Sequence, residues 1–264
     1  MKKLTAFILT LALAVSFTAC GQKADTLKVG ATAAPHAEIL NFIKPMLEEK
    51  GITLEVIEFT DYPLLNTALN EKQIDANYFQ HKPYLDQYNE ANKTDLISAG
   101  AIHFEPLGVY GGKRAAIADL QEGDTIAIPN DPTNGARALL LLEENGVITL
   151  KGDKKMASTA NDIDQNKLNI KISEVDASQI PNTLQDVALG VINGNYAIGA
   201  GIADKVLVSE DPTGDVATDR ANIVAVRKGD ENREDIKTLV AALQSEETRK
   251  FITDKYGISV VPVF

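Results

Sequence analysis

The sequence contains a single cysteine, Cys20, and only three histidines among its 264 residues. One cysteine excludes an intramolecular disulfide framework and disfavours thiolate metal clusters. Basic residues are scarce beside acidic ones, 26 against 37, which gives a formal net charge of −11. This charge disfavours nucleic acid partners, whose phosphates attract lysine- and arginine-rich surfaces, and it disfavours polybasic attachment to acidic lipids.

Several catalytic and nucleotide-binding motifs are also missing from the chain. It has no G-x-S-x-G nucleophile motif, no P-loop and no G-x-G-x-x-G dinucleotide fingerprint. Its 44% share of hydrophobic residues and its 10 prolines permit a large core and exclude a disordered or collagen-like chain. At this length we expect one large domain or two lobes.

The N-terminal segment is distinct from the rest of the chain. Met1–Lys3 is basic, and the apolar stretch of 14 residues at 4–17 is too short to cross a bilayer, which takes about 20. Thr18-Ala19-Cys20 follows and resembles a bacterial lipobox, in which the cysteine becomes the lipidated first residue. We predict a lipoprotein signal peptide at 1–19 and a lipid anchor and tether at 20–26. An ordinary signal peptide with an incidental cysteine is the alternative.

Strand and helix patterns alternate along the remaining residues, with short joints between them. This alternation predicts an α/β fold with mostly parallel sheets flanked by helices. A second α/β unit begins after Glu105-Pro106. Two such units meet across a cleft, which is where open α/β sheets usually place ligands.

Three local predictions concern weaker patterns. Pro45 is expected to break or kink a helix over residues 36–50, because it lacks a backbone N–H. Residues 180–189 are predicted to form a helix, and 196–198 are predicted to extend as a strand.

A cluster of aromatic residues follows the predicted strand 74–79. Phe79, His81 and Tyr84 lie near the carboxyl end of this strand, where the next helix begins. Sulfur interacts favourably with the edges of aromatic rings, so the cluster is suited to an apolar or sulfur-containing side chain. The alternative is that these rings belong to the core.

Arg137 lies in the second turn of a helix that we predict to begin with Asp131 as its N-cap and Pro132 as its first residue. Helix side chains lean towards the N-terminus, so the guanidinium can reach the helix mouth, where a cation opposes the helix dipole. An anionic partner explains this placement. It is either a substrate carboxylate, gripped in bidentate fashion, or a neighbouring Asp.

Asparagines are the third candidate group. Asn193, Asn195 and Asn222 have amide oxygens that can accept hydrogen bonds from an ammonium group. The alternative is that they are exposed turn residues.

Two H-x-E pairs raise the question of a metal site. They are His36 with Glu38 and His103 with Glu105. Zinc sites need three or four converging ligands, and no two of the histidines have the usual spacing for one. We therefore predict no metal and no cofactor.

With these residues in view, the chain resembles the methionine-binding lipoprotein family, also called the NlpA lipoprotein family. The resemblance covers nearly the whole chain after the signal segment. Its matching segments are 35–40, 59–62, 75–85, 103–108, 129–134 with Arg137, and 191–193.

The resemblance implies a substrate-binding protein with a two-lobed periplasmic-binding-protein fold and a ligand cleft between the lobes. Lobe 1 is expected at 27–105 and 224–264, and lobe 2 at 106–223. Tyr62, Phe79, His81 and Tyr84 are expected to surround a methionine side chain. Arg137 is expected to bind the carboxylate, and Asn193 and Asn222, with Asn195 as their neighbour, to contact the head group.

The implied function is capture of L-methionine outside the cytoplasm, by a lipid-anchored monomer that delivers it to the permease and ATPase subunits of an ABC importer. A methionine-containing dipeptide or another small amino acid is an alternative ligand. The alternative from a different class is an extracytoplasmic hydrolase that uses His81 or His103 with a nearby carboxylate.

Overall fold

The computed structural model describes residues 26–152, 155–213 and 215–264. The predicted signal peptide, Cys20 and nearly all of the tether therefore lie outside the described residues.

Strands and helices alternate through most of the described chain. The strands are β1 Thr26–Ala31, β2 Thr53–Glu58, β3 Ala76–His81, β4 Leu96–Phe104, β5 Gly108–Gly111, β6 Thr125–Pro129, β7 Thr149–Leu150, β8 Ile163–Gln165, β9 Lys171–Val175, β10 Leu189–Ile192, β11 Val206–Ser209, β12 Asn222–Arg227 and β13 Val261–Pro262. The α-helices are α1 Glu38–Glu48, α2 Tyr62–Asn70, α3 Lys82–Asn92, α4 Pro132–Glu144, α5 Ile180–Thr183, α6 Gly194–Gly199, α7 Asp215–Asp219, α8 Glu234–Leu243 and α9 Glu246–Tyr256.

The first sheet has the strand order β13-β4-β12-β3-β1-β2. Strand β1 runs parallel to β2 and β3, whereas β12 runs antiparallel to β3 and β4. Apolar residues of α1, α8 and α9 pack on one face of this sheet, and those of α2 and α3 pack on the other. Both faces of β3 are covered, so all six of its residues are buried.

The second sheet has the order β11-β5-β10-β6-β9. Strands β10, β6 and β9 are parallel, and β5 is antiparallel to both β10 and β11. Helix α4 contributes Ala138, Leu139, Leu141 and Leu142 to the core on one face. Ile180 from α5 and Ala197 from α6 lie in a smaller cluster with Tyr110, Ala127 and Ile192.

The chain passes between the two sheets twice. The first crossing follows β4, and the second lies between β11 and β12. The predicted α/β fold of two lobes is confirmed. Antiparallel pairing is more frequent than the alternating pattern predicts, because β12 and β13 in the first sheet and β5 in the second pair antiparallel with their neighbours. Asn222 and Ile223, predicted to end lobe 2, are instead the first residues of β12.

Two local predictions are wrong, and the helix break expected at Pro45 does not occur. Pro45 lies inside α1 without ending it, since the buried face of this helix holds it on the sheet and Asn41, whose carbonyl loses its helical partner, is exposed. The helix predicted at 180–189 ends at Thr183, because Leu189–Ile192 pairs with β5 and β6. The strand predicted at 196–198 is part of α6, whose first turn bonds to the Asn193 carbonyl.

Candidate functional site

A pocket lies between the two sheets, near the carboxyl ends of β3 and β6. All eight residues that we predicted to bind a ligand line it. The full lining is Tyr62, Phe79, Gln80, His81, Tyr84, Glu105, Asn134, Arg137, Asn193, Gly194, Asn195 and Asn222.

Three buried rings from the first lobe form one wall of the pocket. Phe79 lies at the end of β3, Tyr62 begins α2, and Tyr84 lies in the first turn of α3. The centroids of these rings are 5.4 to 5.9 Å apart, and Tyr196 from the second lobe stacks on Tyr62 at 5.0 Å. These rings belong to a hydrophobic cluster with Leu65 and Ala177, and they also line the pocket.

His81 is the N-cap of α3 and also connects the two lobes. Its Nδ1 accepts the backbone N–H of Tyr84 at 3.1 Å, so its Nε2 carries the proton and donates to Asn134 Oδ1 at 3.1 Å. Burial, with a further contribution from the positive charge of Arg137, lowers the pKa of His81 to about 3. The ring is therefore neutral at physiological pH.

Arg137 lies in α4, which begins as predicted: the Asp131 side chain caps the Asn134 N–H, and Pro132 is the first residue. The guanidinium is buried against Glu210, with Nε 3.0 Å and Nη2 2.5 Å from the two carboxylate oxygens. Nη2 also donates to the Glu105 carbonyl at 3.2 Å.

A further bond runs from Nη1 of Arg137 to Asn134 Oδ1 at 3.1 Å. A guanidinium has five N–H groups, so one Nη1 N–H is left with no acceptor among the described residues. The expected bidentate grip on a ligand carboxylate is therefore not available in this arrangement. The acidic neighbour that the sequence left open is present, and it is a Glu rather than an Asp.

A second arginine joins this ion pair. Arg220 Nη1 contacts Glu210 Oε1, so two guanidinium groups share one carboxylate and the cluster carries a net charge of +1. Burial acts to raise the pKa of Glu210, but the charges of Arg137 and Arg220 lower it below its ordinary value. Sequence reasoning missed Glu210 and Arg220, since neither belongs to a local motif.

The asparagines are buried rather than exposed in turns. Asn195 Oδ1 accepts the Tyr62 hydroxyl at 2.5 Å across the cleft, and Asn222 Oδ1 lies 3.3 Å from His36 Nε2. Asn193 Oδ1 is buried and has no hydrogen-bond partner within the described part of the chain. A buried acceptor of this kind needs a donor, which points to a ligand with N–H groups.

Next to the asparagines, the two histidines outside the pocket lining meet Glu105. His36, His103 and Glu105 are residue types found in zinc sites, and their potential ligand atoms lie within 4.8 Å of one another. His103 Nε2 is 2.7 Å from Glu105 Oε1. Ligand atoms around tetrahedral zinc are about 3.3 Å apart, so this spacing fits a direct hydrogen bond better than a shared metal.

The H-x-E pair of His36 and Glu38 is not formed. Glu38 lies 2.8 Å from Lys255 and contacts the Tyr256 hydroxyl, whereas His36 is directed to Glu105. The sequence spacing therefore identified one of the two pairs and missed the convergence of His36 on the other.

The model of the family described as NlpA lipoprotein matches residues 27–264. The chain belongs to the NlpA lipoprotein family. It is 40% identical to the methionine-binding lipoprotein MetQ of Bacillus subtilis strain 168, over an alignment that covers 100% of this chain and 99% of that protein.

Two solved structures extend this similarity to the fold. A nutrient-binding protein of Burkholderia cenocepacia bound to methionine is 40% identical, with a TM-score of 0.85 over 90% of this chain and 100% of that one. A periplasmic substrate-binding protein of an ABC transporter from Coxiella burnetii is 38% identical, with a TM-score of 0.84 and coverage of 90% and 100%. Within the described residues, this NlpA family member has no helix with the length and hydrophobicity of a membrane span.

Proposed function

We propose that this chain captures L-methionine, or a close relative, in the pocket between its lobes. The observation that carries the proposal is the division of the pocket wall into two parts. One part holds Glu105, the unpaired Asn193 acceptor and Arg137, which belongs to the positively charged arginine cluster, and the other part holds the three rings. A zwitterion with an apolar, sulfur-containing side chain matches both parts.

Within this proposal, Arg137 contributes its free N–H and the excess charge of its cluster to the ligand carboxylate. Asn193 and Asn222 accept hydrogen bonds from the ammonium group. The rings of Tyr62, Phe79 and Tyr84 and the neutral ring of His81 enclose the side chain, and none of them brings a charge to the thioether.

The experiment is calorimetric titration of protein that has been unfolded and refolded to remove any carried ligand. We expect L-methionine to bind more tightly than norleucine, by roughly one thioether–aromatic contact of 0.3 to 1.5 kcal/mol. A glycyl-methionine titration covers the dipeptide alternative. If millimolar L-methionine gives neither heat nor thermal stabilisation, this ligand assignment is wrong.

We also propose that Cys20 is acylated and that the lipid holds the protein on the outer face of a membrane, where it delivers its ligand to the permease and ATPase subunits of an ABC importer. The support for the anchor is the lipobox resemblance and the family name. We propose no cofactor and no nucleic acid partner. A single acyl chain binds membranes only marginally, so several chains are required. Cys20→Ser should move the protein from the membrane to the soluble fraction, and an unchanged distribution would contradict the anchor.

The chain is proposed to act as a monomer without catalysing a reaction. The alternative hydrolase gains little support from the geometry, since His81 pairs with the Asn134 amide and His103 is completely buried beside Glu105. Mass spectrometry of protein and ligand after incubation separates these functions. Recovery of intact ligand supports binding, whereas cleaved ligand supports the hydrolase.

A further inference from the structure

Glu105 lies on the first crossing between the lobes, directly after β4, and its side chain is 6% exposed. It lines the pocket beside Asn193, Gly194 and Asn222. In the sequence, the H-x-E spacing makes Glu105 a candidate metal ligand. Its surroundings indicate a different role.

Three N–H groups converge on the Glu105 carboxylate. His103 Nε2 is 2.7 Å and His36 Nε2 is 3.2 Å from Oε1, and the backbone N–H of Asn195 donates to the same carboxylate. The opposite ring nitrogens have hydroxyl partners: Thr32 Oγ1 is 2.7 Å from His36 Nδ1, and the Tyr78 hydroxyl contacts His103 Nδ1.

This arrangement assigns the protons. If both hydroxyls donate to Nδ1, each Nε2 carries a proton and donates to Glu105, and every hydrogen bond has a donor and an acceptor. Burial raises the pKa of Glu105, and these N–H donors oppose that rise because a carboxylate accepts their hydrogen bonds more strongly than a protonated carboxyl does. The hydrogen bonds therefore favour an anionic carboxylate between two neutral histidines.

The histidines do not neutralise this charge. Burial lowers the pKa of His36 to about 4 and that of His103 to about 3, so both are uncharged near neutral pH. Arg137 donates to the backbone carbonyl of Glu105 at 3.2 Å, whereas its shortest hydrogen bonds go to the Glu210 carboxylate. The carboxylate of Glu105 thus forms a negative end of the pocket, and the arginine cluster forms a positive end.

The amides beside Glu105 are consistent with a cationic donor. Asn193 Oδ1 is buried without a partner in the described residues, and Asn222 Oδ1 has only the long contact to His36 among the bonds that the described residues make. A buried negative charge next to an unpaired acceptor is costly unless a positively charged donor meets both.

We propose that the Glu105 carboxylate is the counter-charge for a free α-ammonium group of the ligand, and that His36 and His103 position it. This inference rests on the proposed function and deepens it. It makes the pocket selective for free amino acids over analogues in which that nitrogen is acylated or replaced.

The test compares two ligands that differ at one group. L-Methionine and 2-hydroxy-4-(methylthio)butanoate share the carboxylate and side chain, but the second has a hydroxyl in place of the ammonium. Both are titrated into ligand-free parent protein, Glu105→Gln and Glu38→Gln. Glu38→Gln is the matched control, because it makes the same chemical change in the same lobe, at a carboxylate that contacts Lys255 and Tyr256.

We expect the parent and Glu38→Gln to prefer methionine by about a hundredfold or more, the usual consequence of leaving one partner of a buried charge pair unmatched. In Glu105→Gln this preference should fall to about tenfold or less. A preference that stays at the parent value overturns the role of Glu105 and leaves methionine capture standing. If the parent binds neither ligand, the proposed function and this inference both fail.

A second pair of variants tests the positioning role and does not depend on Glu105→Gln folding. His103→Leu removes an N–H donor from the carboxylate, and His103→Gln retains one. Losing a donor raises the pKa of Glu105, so methionine affinity should begin to fall at a higher pH in His103→Leu, and His103→Gln should restore the parent profile. Superimposable pH profiles for all three proteins contradict the proposal.

Other titratable groups around Glu105 do not produce this shift. Burial raises the pKa of the Tyr62 and Tyr78 hydroxyls well above their ordinary value, and Arg137 keeps its charge throughout. The remaining imidazole, His36, is unchanged in both variants and so contributes equally to each profile.

Discussion

Replacing His81 should weaken the pH dependence of folding by a defined amount. In the unfolded chain its pKa returns to the ordinary value of 6.5, whereas in the folded protein it is about 3. Below pH 6.5 the unfolded state therefore binds more protons than the folded state, and the free energy of unfolding falls as the pH falls. Between pH 7.0 and 5.5 this difference amounts to about 1.2 kcal/mol for one histidine.

All three histidines of the chain have a lowered pKa, so together they act to remove about 4 kcal/mol over the same interval. Glu105 opposes them, because burial raises its pKa and the folded state then gains a proton on acidification. To isolate the contribution of His81, the loss of unfolding free energy between pH 7.0 and 5.5 is measured in each protein, and the losses of parent and variant are then compared.

The variant of choice is His81→Asn, because an Asn side chain retains an N-cap acceptor for the Tyr84 N–H. Urea unfolding of ligand-free protein at pH 7.0 and 5.5 should show a stability loss about 1.2 kcal/mol smaller than that of the parent. Tyr84→Phe is the control, since it alters the same wall of the pocket without removing a group that titrates in this range. If His81→Asn loses as much stability as the parent, the ring of His81 is not held neutral by its environment.

Three further variants test the polar contacts of the pocket. Arg137→Ala should lower the melting temperature of the ligand-free protein as well as methionine affinity, because it breaks a buried ion pair whose one-sided loss typically costs about 3 to 5 kcal/mol; an unchanged melting temperature would contradict the Glu210 pairing. Arg220→Ala removes the excess positive charge but keeps the Arg137–Glu210 pair. Titration calorimetry should therefore show a loss of methionine binding free energy that is larger than the loss of unfolding free energy, and equal losses would refute a role of the Arg220 charge in binding. Tyr62→Phe removes the hydroxyl bonded to Asn195 across the cleft, and stopped-flow measurements should show methionine dissociating roughly 3- to 10-fold faster, while an unchanged rate would mean that the bond does not stabilise the closed lobes.

Local sequence patterns predicted the parts of the site that come from a single segment. The carboxyl end of β3 delivers Phe79 and His81 to the pocket, and Asp131 with Pro132 starts the helix that carries Arg137. Each of these features depends on residues a few positions apart, where strand alternation and helix capping act directly.

Contacts between distant segments could not be predicted in this way. Arg137 and Glu210 are 73 positions apart, and no motif around either residue indicates the other. The same limit explains the helix predicted at 180–189. The apolar residues of Leu189–Ile192 fit a buried helix or a buried strand equally well, and pairing with β5 and β6 decides between them.

Each of the two crossings between the lobes carries a carboxylate that takes part in the site: Glu105 lines the pocket, and Glu210 pairs with the pocket residue Arg137. Glu105 lies on the first crossing, and Glu210 begins the second, directly after β11. Leu107 and Glu210 hold the crossings together through two hydrogen bonds. The Glu210 N–H donates to the Leu107 carbonyl at 2.9 Å, and the Leu107 N–H donates to the Glu210 carboxylate at 2.9 Å.

Since both carboxylates belong to the joint between the lobes, their spacing depends little on how far the lobes open. Tyr62 and His81, in contrast, come from the first lobe and bond to Asn195 and Asn134 of the second lobe. These bonds across the cleft therefore require the lobes to be closed. We therefore expect the charged head group of a ligand to bind at the joint in the open protein. Closure then covers the side chain, so the fit of the side chain to the rings should control the rate of release rather than the rate of capture.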